Sequence, residues 1–332
     1  MIADALIRKA STALLLALLP LALILNPLPA HAQKSGFPKQ PIRLIVPYPP
    51  GGGADGLARL IAQGMGEYLG QQVIVDNKPG ANTVLATEMA AKMASDGYSL
   101  LYVASSFAIN PSLYKLSYSI EKDFSPVAMI AKVPLIIVAN NDYPVNTVSE
   151  LVKLAKSQPG QITYASYGAG SPVHLAGELF CQLNNITMLH VPYKGSSPAM
   201  TDLMSGQVNL AFSSIEPAKQ LIKTNRIKPI AVTTAQRVNG LLNVPTIAES
   251  GLKDFDVAGW NGILAPANLP PDITNILNQA VNSALKQSNI KNKMDHQGVV
   301  MEMQTPEQFG QFIRSDSAKW AAVIKKANIK LD

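Results

Sequence analysis

The amino-acid sequence predicts an α/β fold with two lobes, in which mainly parallel sheets are joined by two crossover segments. Short β-branched and apolar runs alternate with helical patterns over almost the whole 332-residue chain, which is typical of parallel sheets covered by helices. The alternation restarts near residue 133, and a chain of about 300 residues is near the size at which one core divides into two. We expect lobe 1 to comprise residues 33–132 and 256–332, and lobe 2 to comprise residues 133–255.

The elements of lobe 1 follow from periodicity. The run "IRLIVPY" at 42–48 is short and rich in β-branched residues, which favours a strand. The helix after it places its apolar residues on one face: Leu57, Leu60, Ile61, Met65, Tyr68 and Leu69. Strands at 72–77 and 99–105 then flank a helix at about 81–95. The order βαβαβ predicts a parallel sheet.

Lobe 2 repeats the pattern. Thr147 and Glu150 form a capping box that predicts a helix start. The other predicted elements are strands at 133–140, 161–166, 188–193, 208–214 and 228–235, and helices at 172–183, 198–205 and 217–225. A less periodic crossover at 236–259 precedes a strand at 260–266. Two helices, at 271–287 and 306–326, end the chain in lobe 1.

The first 32 residues have the order of a secretory signal peptide. Arg8 and Lys9 precede an apolar run from Thr12 to Leu25, and Ala30-His31-Ala32 is a small-x-small cleavage pattern. The run of about 14 residues is shorter than the roughly 20 that span a bilayer. We therefore expect export to the periplasm, with cleavage near Ala32.

Composition and motifs disfavour several function classes. The net charge of +6 is spread along the chain without a dense Lys/Arg run, so a nucleic-acid surface is not expected. Cys181 is the only cysteine and lies in an apolar helical pattern, which predicts a buried thiol and no internal disulfide. No G-x-S-x-G, HExxH or Cys/His metal spacing occurs. The sequence therefore predicts no metal, no cofactor and no enzyme, although it does not exclude a carboxylate dyad.

The stretch "PYPPGGGADGLARL" at 47–60 predicts an anion site. The loop would join the carboxyl end of a strand to a helix whose first N–H groups have no internal partner. Glycines allow close approach to those groups, and the helix dipole favours negative charge there. A nucleotide P-loop needs Lys-Ser/Thr after its last glycine, whereas Ala54-Asp55 stands here. A carboxylate fits better, and Asp55 is expected to cap the helix or to discriminate among ligands.

A similar loop occurs in lobe 2. "YASYGAGSPVHLAGE" at 164–178 predicts a strand, a glycine loop and a helix capped by Ser171. "VPYKGSSPAM" at 191–200 predicts another helix, with Ser197 as its N-cap, and "FSSIEPA" at 212–218 a weaker one. Helix N-termini from both lobes would then face one cleft.

Several side chains near these loops allow two interpretations. His174 is either a structural histidine or a ligand contact, and Lys194 is either a solvated charge or a counter-ion. Tyr48 and Tyr193, at strand ends, either wall the cleft or pack in the core. Trp260 is expected to pack near the second crossover.

These motifs resemble the substrate-binding proteins of tripartite tricarboxylate transporters, the Bug or TctC-like receptors. Matching blocks run in order over essentially the whole chain after the leader. They include "PIRLIVPYPPGGGADGLARLIA", "YASYGAGSPVHLAGELF", "HVPYKGSSPAMTDLMSGQV" and "WNGILAPANLP". The resemblance implies a periplasmic binding protein of type II fold, which closes on a small mono-, di- or tricarboxylate. It also implies delivery of that acid to a membrane permease of one large and one small subunit, without a cofactor. We expect a monomer.

The resemblance also implies which residues bind the acid, mainly through main-chain amides and ordered waters. In lobe 1 these are Tyr48, Gly51, Gly52, Gly53, Ala54, Asp55 and Ser105. In lobe 2 they are Tyr167, Gly168, Gly170, Ser171, His174, Tyr193 and Lys194. The chain departs from many relatives at Ala54, where they have threonine or serine, and at Asn209, where they have aspartate. A periplasmic enzyme acting on an organic acid and a ligand-presenting sensor subunit remain as alternatives.

Overall fold

A sixteen-residue strand connects the two halves of the sheet. In the computed structural model, which describes residues 36–331, this strand runs from Phe124 to Ala139. Up to Pro134 it pairs with the strand Ala258–Pro266, and from Leu135 onward it pairs with the strands Leu210–Ser214 and Lys228–Val232. One strand therefore belongs to both halves. The predicted signal peptide and its cleavage near Ala32 lie outside the described residues.

Strands and helices alternate from Ile42 to Ala327, within a compact unit that begins at Pro38. In chain order they are β1 (Ile42–Val46), α1 (Gly53–Leu69), β2 (Val73–Asn77), α2 (Val84–Ala91), β3 (Ser99–Ala104), α3 (Ser106–Ile109), β4 (Phe124–Ala139), α4 (Val148–Ser157), β5 (Thr163–Ser166), α5 (Pro172–Asn184), β6 (Leu189–Pro192), α6 (Ser196–Met204), β7 (Leu210–Ser214), α7 (Ile215–Lys223), β8 (Lys228–Val232), β9 (Ala258–Pro266), α8 (Pro271–Leu285), α9 (Ser288–His296), β10 (Val300–Met301) and α10 (Pro306–Ala327). Short 3₁₀ turns occur at Ala81–Thr83 and Asn110–Ser112.

The sheet is mixed, with parallel outer parts and an antiparallel centre. Its strand order is β2-β1-β3-β9-β4-β7-β5-β6, and β8 and β10 also pair with β4. β1 is parallel to β2 and β3, and β5 is parallel to β6 and β7. All pairings that involve β4 or β9 are antiparallel. The carboxyl ends of β1 and β3 meet at one edge, so the loops after these strands lie close together.

The predicted start of β4 near residue 133 is wrong, because the strand begins nine residues earlier, at Phe124. Proline normally argues against a strand, and this segment contains Pro126 and Pro134. Pro126 lies where the register with β9 shifts, and Pro134 is the last residue that pairs with β9. Both prolines thus occupy positions where the regular ladder is interrupted, which is where strands tolerate them.

Each half of the sheet has its own buried core. Beside β3 and β9, the core includes Phe107, Trp260 and Phe309. Beside β5 and β7, it includes Tyr164, Phe180 and Phe212. Cys181 is buried in α5, as predicted. The end of α10 packs on this second core through Trp320, Val323 and Ile324, so the last helix contacts both halves. The lobe boundaries at 133 and 255 stay a prediction.

The predicted capping residues agree with the structure at α4 and α5 but not at α6. The capping box of Thr147 and Glu150 and the Ser171 cap are confirmed. Ser197 is not an N-cap, because α6 starts at Ser196 after Gly195, whose φ of 110° no other residue adopts easily. α9 has no predicted counterpart, since only Ile290 and Met294 are buried in it. None of the helices within residues 36–331 combines the length and hydropathy needed to cross a bilayer.

Gly262 in β9 leaves no space for a side chain. A Cβ there would lie 3.0 Å from the carbonyl oxygen of Ala128 and would overlap the ring of Phe309. We expect Gly262→Ala to lower the free energy of unfolding by about 1–3 kcal/mol, as overpacking does. Gly56→Ala is the matched control, because nothing lies within 4 Å of the added atom in α1. It should raise stability by about 0.4–1 kcal/mol. Urea denaturation measures both values, and equal stabilities of the two variants would contradict this packing.

Candidate functional site

Two adjoining cavities form a cleft across β4 and β9. The Tyr48 cavity, of about 280 Å³, is lined by Tyr48, Asn82, Ala104, Ser105, Ser106, Val133, Leu135, Tyr167, Gly170, Ser171, Pro172, Val173, Ser214, Gly259, Trp260 and Asn261. The Gly53 cavity, of about 270 Å³, is lined by Gly53, Ala54, Leu57, Tyr102, Val133, Ser214, Ile215, Glu216, Asn261, Gln297, Gly298 and Val299. Val133, Ser214 and Asn261 line both, so the two cavities adjoin.

Three larger concave regions, of about 510, 650 and 350 Å³, also occur in the described chain, and the first shares Gly298 and Val299 with the Gly53 cavity. None of the three is lined by any of the predicted ligand-binding residues. The cleft is the better candidate because both glycine loops contribute to it. Volume alone does not identify a binding site, whereas convergent polar groups in a concave site do.

The first glycine loop presents unpaired amides to the Gly53 cavity. Gly52 is the N-cap of α1 with extended φ/ψ of −78° and 168°, and the helix continues for 17 residues. Among the described residues, no acceptor pairs with the main-chain N–H groups of Gly53, Ala54 or Asp55. Gly53 and Ala54 line the cavity. These N–H groups and the helix dipole favour an anion at this position.

Asp55 shapes this loop, and its predicted role as the N-cap is wrong. It is the third residue of α1 and is 3% exposed. Its carboxylate accepts hydrogen bonds from Arg59 Nε at 3.0 Å, Gly51 N at 2.9 Å and Asn77 Nδ2 at 2.8 Å. The hydrogen bond from Arg59, followed by that from Gly51, lowers the pKa of Asp55 to about 2. Asn77 also donates to the carbonyl of Tyr48 at 3.0 Å, so both ends of the loop are held.

The second glycine loop uses its amides internally, contrary to the expectation that they are available. Gly168 N donates to Ser166 Oγ at 3.2 Å, Gly170 N to His174 Nδ1 at 3.0 Å, and Ser171 N to the carbonyl of Gly168 at 3.2 Å. Gly170 and Ser171 still line the Tyr48 cavity. The Ser171 hydroxyl is also used internally, because it donates to the carbonyl of Gly168 at 2.7 Å and caps α5.

The N-terminus of α7 lines the Gly53 cavity together with that of α1. Ser214 is its N-cap, and Ser214, Ile215 and Glu216 line the cavity. The N–H groups of Ile215 and Glu216 have no acceptor within residues 36–331. The helix ends that meet at the Gly53 cavity are therefore those of α1 and α7, whereas α5 faces the Tyr48 cavity.

His174 lies under the second loop, outside both cavities. It is 4% exposed, and its ring stacks on His190 with 3.7 Å between centroids. Burial lowers the pKa of His174 to about 3 and that of His190 to about 4. Because Nδ1 of the neutral ring accepts from Gly170, its proton lies on Nε2. This geometry supports the structural interpretation, in which the ring holds the loop.

The remaining predicted residues divide between the two cavities and the surrounding surface. Tyr48, Ser105 and Tyr167 line the Tyr48 cavity. The residues outside both cavities are Gly51, Gly52, Asp55, Gly168, His174, Tyr193 and Lys194. Tyr193 donates to Asp202 Oδ2 at 2.8 Å, while Lys194 is exposed. The role of the predicted set as ligand contacts stays a prediction.

The two positions at which the resemblance implies a departure from relatives differ in place. Ala54 lines the Gly53 cavity, whereas Asn209 does not line either cavity. Asn209 Oδ1 accepts from the N–H and the hydroxyl of Thr163, both at 2.9 Å, and so ties β5 to the residue before β7. Only the difference at Ala54 therefore bears directly on the cleft.

Sequence reasoning missed many of the residues that line the cleft, among them Tyr102, Val133 and Asn261. Tyr102 and Asn261 lie inside strands, where apolar neighbours make them look like core, and Val133 lies at the crossover. Trp260 is buried near that crossover, as expected, and donates from Nε1 to Asp316 Oδ2 at 2.8 Å. Within residues 36–331, no cluster of three or more His, Cys, Asp or Glu side chains is placed to hold a metal ion.

Comparison with known proteins identifies the family. Residues 57–329 match the model of the tripartite tricarboxylate transporter family receptor, TctC. This chain is a TctC-family receptor. It resembles the structure of the periplasmic binding protein BugD, with 33% identity over 89% of this chain and 99% of that one, and a TM-score of 0.73. The predicted family and type II fold are thereby confirmed, and the family is one of periplasmic binding proteins.

Two related structures contain organic acids. A Rhodopseudomonas palustris protein with adipate has 33% identity to this receptor over 89% of this chain and 99% of that one, with a TM-score of 0.76. MatC from Rhodopseudomonas palustris, with bound malate, has 30% identity over 87% of this chain and 100% of that one, with a TM-score of 0.71.

The buried histidine pair predicts acid sensitivity. The unfolded chain protonates both rings below a pKa of about 6.5, whereas the folded receptor does so only near 3 and 4. The stability that the two neutral rings contribute is therefore fully present above pH 6.5, and it is lost as the pH falls toward 4. Between pH 8 and pH 5, each ring should lower the free energy of unfolding by about 2 kcal/mol.

His190→Gln removes one titrating ring and leaves an acceptor for Ser166, whose hydroxyl lies 2.6 Å from His190 Nε2. The pH-dependent loss of stability from pH 8 to pH 5 should then be smaller by about 2 kcal/mol. His296→Gln is the control, since His296 lies at the end of α9, away from this pair. Urea denaturation at both pH values gives the difference. An unchanged pH dependence in His190→Gln would show that the pair does not remain neutral in the fold.

Proposed function

We propose that this receptor captures a small organic acid in the cleft and delivers it to a tripartite tricarboxylate transporter permease. The permease would comprise one large and one small membrane subunit, and the receptor would act as a monomer in the periplasm after loss of its leader. Its relatives with adipate and malate support a carboxylic acid as the ligand class. A carboxylate of four to six carbons is therefore the first candidate.

The unpaired N–H groups of Gly53 and Ala54 are the observation that carries this proposal. They lie at the positive end of a 17-residue helix, which lines the Gly53 cavity together with the N-terminus of α7. Within residues 36–331, no Lys or Arg side chain lines either cavity. The site thus offers dipoles and hydrogen-bond donors instead of a fixed positive charge, which suits a carboxylate that must later be released.

Closure of the two halves around the acid is part of the proposal. The crossover residues Leu135 and Val257 are both tied to Thr233, whose hydroxyl lies 3.1 Å from the carbonyl of Leu135 and 2.5 Å from that of Val257. Residues near this junction would act as the hinge, and each half would move as a rigid body. We place lobe 1 at 33–132 and 256–332 and lobe 2 at 133–255, with part of α10 packed on lobe 2.

We also propose that the receptor returns its ligand unchanged. The polar groups that line the cleft are main-chain amides, hydroxyls, the carboxamides of Asn82, Asn261 and Gln297, and the Glu216 carboxylate. Such groups bind and orient an acid, whereas acid–base catalysis usually requires a group titrating near neutral pH. Recovery of the bound acid after incubation, measured by mass spectrometry, tests this part separately.

A proline substitution tests the amides directly. Gly53 is the first residue of α1 and follows an extended residue, so proline fits there while removing one N–H donor. A hydrogen bond to a charged group contributes about 1.5–3 kcal/mol. We expect Gly53→Pro to weaken binding of the best acid from a thermal-shift screen of mono-, di- and tricarboxylates by about tenfold or more.

Gly53→Ala is the control for this experiment, because it keeps the N–H and its Cβ meets nothing within 4 Å. Its affinity in isothermal titration calorimetry should stay within about threefold of the wild-type value. Equal affinities for the proline and alanine variants would refute amide recognition at α1. No thermal shift with any acid would count against the receptor function as a whole.

A further inference from the structure

Two buried polar side chains at the Gly53 cavity have no internal partner. Tyr102 is fully buried, and among the described residues its hydroxyl has no hydrogen-bond partner. Asn261 is 8% exposed, and its carboxamide makes no hydrogen bond to another group in residues 36–331. Both side chains line the cavity. Buried polar groups are nearly always paired, so the unpaired Tyr102 hydroxyl, next to the Asn261 carboxamide, points to an external partner.

The sheet register brings these two side chains together. Tyr102 lies opposite Ile263, and Ala104 lies opposite Asn261, in the antiparallel pair of β3 and β9. Residues two apart on a strand share a face, so Tyr102 and Asn261 are diagonal neighbours on the same face of the sheet. This is the face that carries the cavity, beside Gly53 and Ala54 of α1.

The chemistry of the pair fits a neutral hydroxyl group. Burial, together with neighbouring Tyr48, raises the pKa of the Tyr102 hydroxyl well above its usual value, so that it keeps its proton. A phenol and a carboxamide each offer both a donor and an acceptor. A ligand hydroxyl can accept from one and donate to the other. A second carboxylate can only accept, and Glu216 lines the same cavity with a negative charge.

We propose that Tyr102 and Asn261 determine specificity by binding a hydroxyl group next to the ligand carboxylate, so that the receptor selects hydroxy acids over their deoxy analogues. This inference rests on the proposed function, in which the carboxylate lies on the N–H groups of Gly53 and Ala54. A site built to pair with a hydroxyl rejects the analogue that lacks it, because its own buried groups are then left unpaired.

The test uses pairs of acids with the same carboxylates that differ in a single hydroxyl. These are lactate and propionate, malate and succinate, and citrate and tricarballylate, titrated calorimetrically into the full chain after the leader. For the pair that binds, the wild type should prefer the hydroxy acid by about tenfold. In Tyr102→Phe this preference should fall below about threefold, with affinity for the deoxy acid within about twofold of wild type.

Tyr118→Phe is the matched control. The hydroxyl of Tyr118 is also buried, beside Thr87 and Asn110, and Tyr118 lies outside both cavities. It should leave the preference unchanged. Without ligand, Tyr102→Phe should unfold at the same urea concentration as wild type or a higher one, because the lost hydroxyl has no internal bond.

The outcomes separate the two proposals. If acids bind but the wild type does not distinguish the members of a pair, the hydroxy-acid inference is overturned and the receptor function stands. If Tyr102→Phe keeps the full preference, Tyr102 serves an ordered water and is not a specificity residue. If no acid of any pair binds, the carboxylate receptor function fails, and this inference fails with it.

Discussion

The Asp55 carboxylate is the constraint on which the cleft depends. It draws Gly51 back toward the first turn of α1 and bonds to Asn77, which in turn holds the Tyr48 carbonyl. Arg59 balances its charge from the next turn. Because this carboxylate takes its hydrogen bonds from Gly51, Asn77 and Arg59, the N–H groups of Gly53 and Ala54 stay unpaired and point to the cavity they line. An acidic side chain thus orders the loop whose unpaired N–H groups can bind an anion.

The two halves of the protein contribute differently to the same cleft. In the half with β1, a long helix offers its unpaired N–H groups, whereas in the other half the loop after β5 is closed on itself by Ser166 and His174. The stacked pair of His174 and His190 keeps that loop rigid, and α7 supplies the second helix end at the Gly53 cavity. The first loop therefore has unpaired N–H groups at the cavity, whereas the second loop forms a wall whose amides are already bonded.

The sequence predicted the elements and the first loop well, because both are local properties. Glycines after an apolar run and before an amphipathic helix signal α1 without any tertiary information. The sequence could not predict which amides are used internally, since that depends on His174 reaching back to Gly170 and on Asp55 reaching back to Gly51. Tyr102 and Asn261 were missed for a similar reason. Within a strand, a polar residue that faces a cavity has the same local pattern as one that is satisfied in the core.

The central claim concerns main-chain N–H groups at one helix end, and amide proton chemical shifts report on them directly. On saturation of ¹⁵N-labelled receptor with the acid that it binds best, the amide protons of Gly53 and Ala54 should move strongly downfield as they donate to a carboxylate. Those of Gly168 and Gly170, already bonded within the protein, should move little. Large downfield shifts at Gly168 and Gly170, with Gly53 and Ala54 unchanged, would contradict the account.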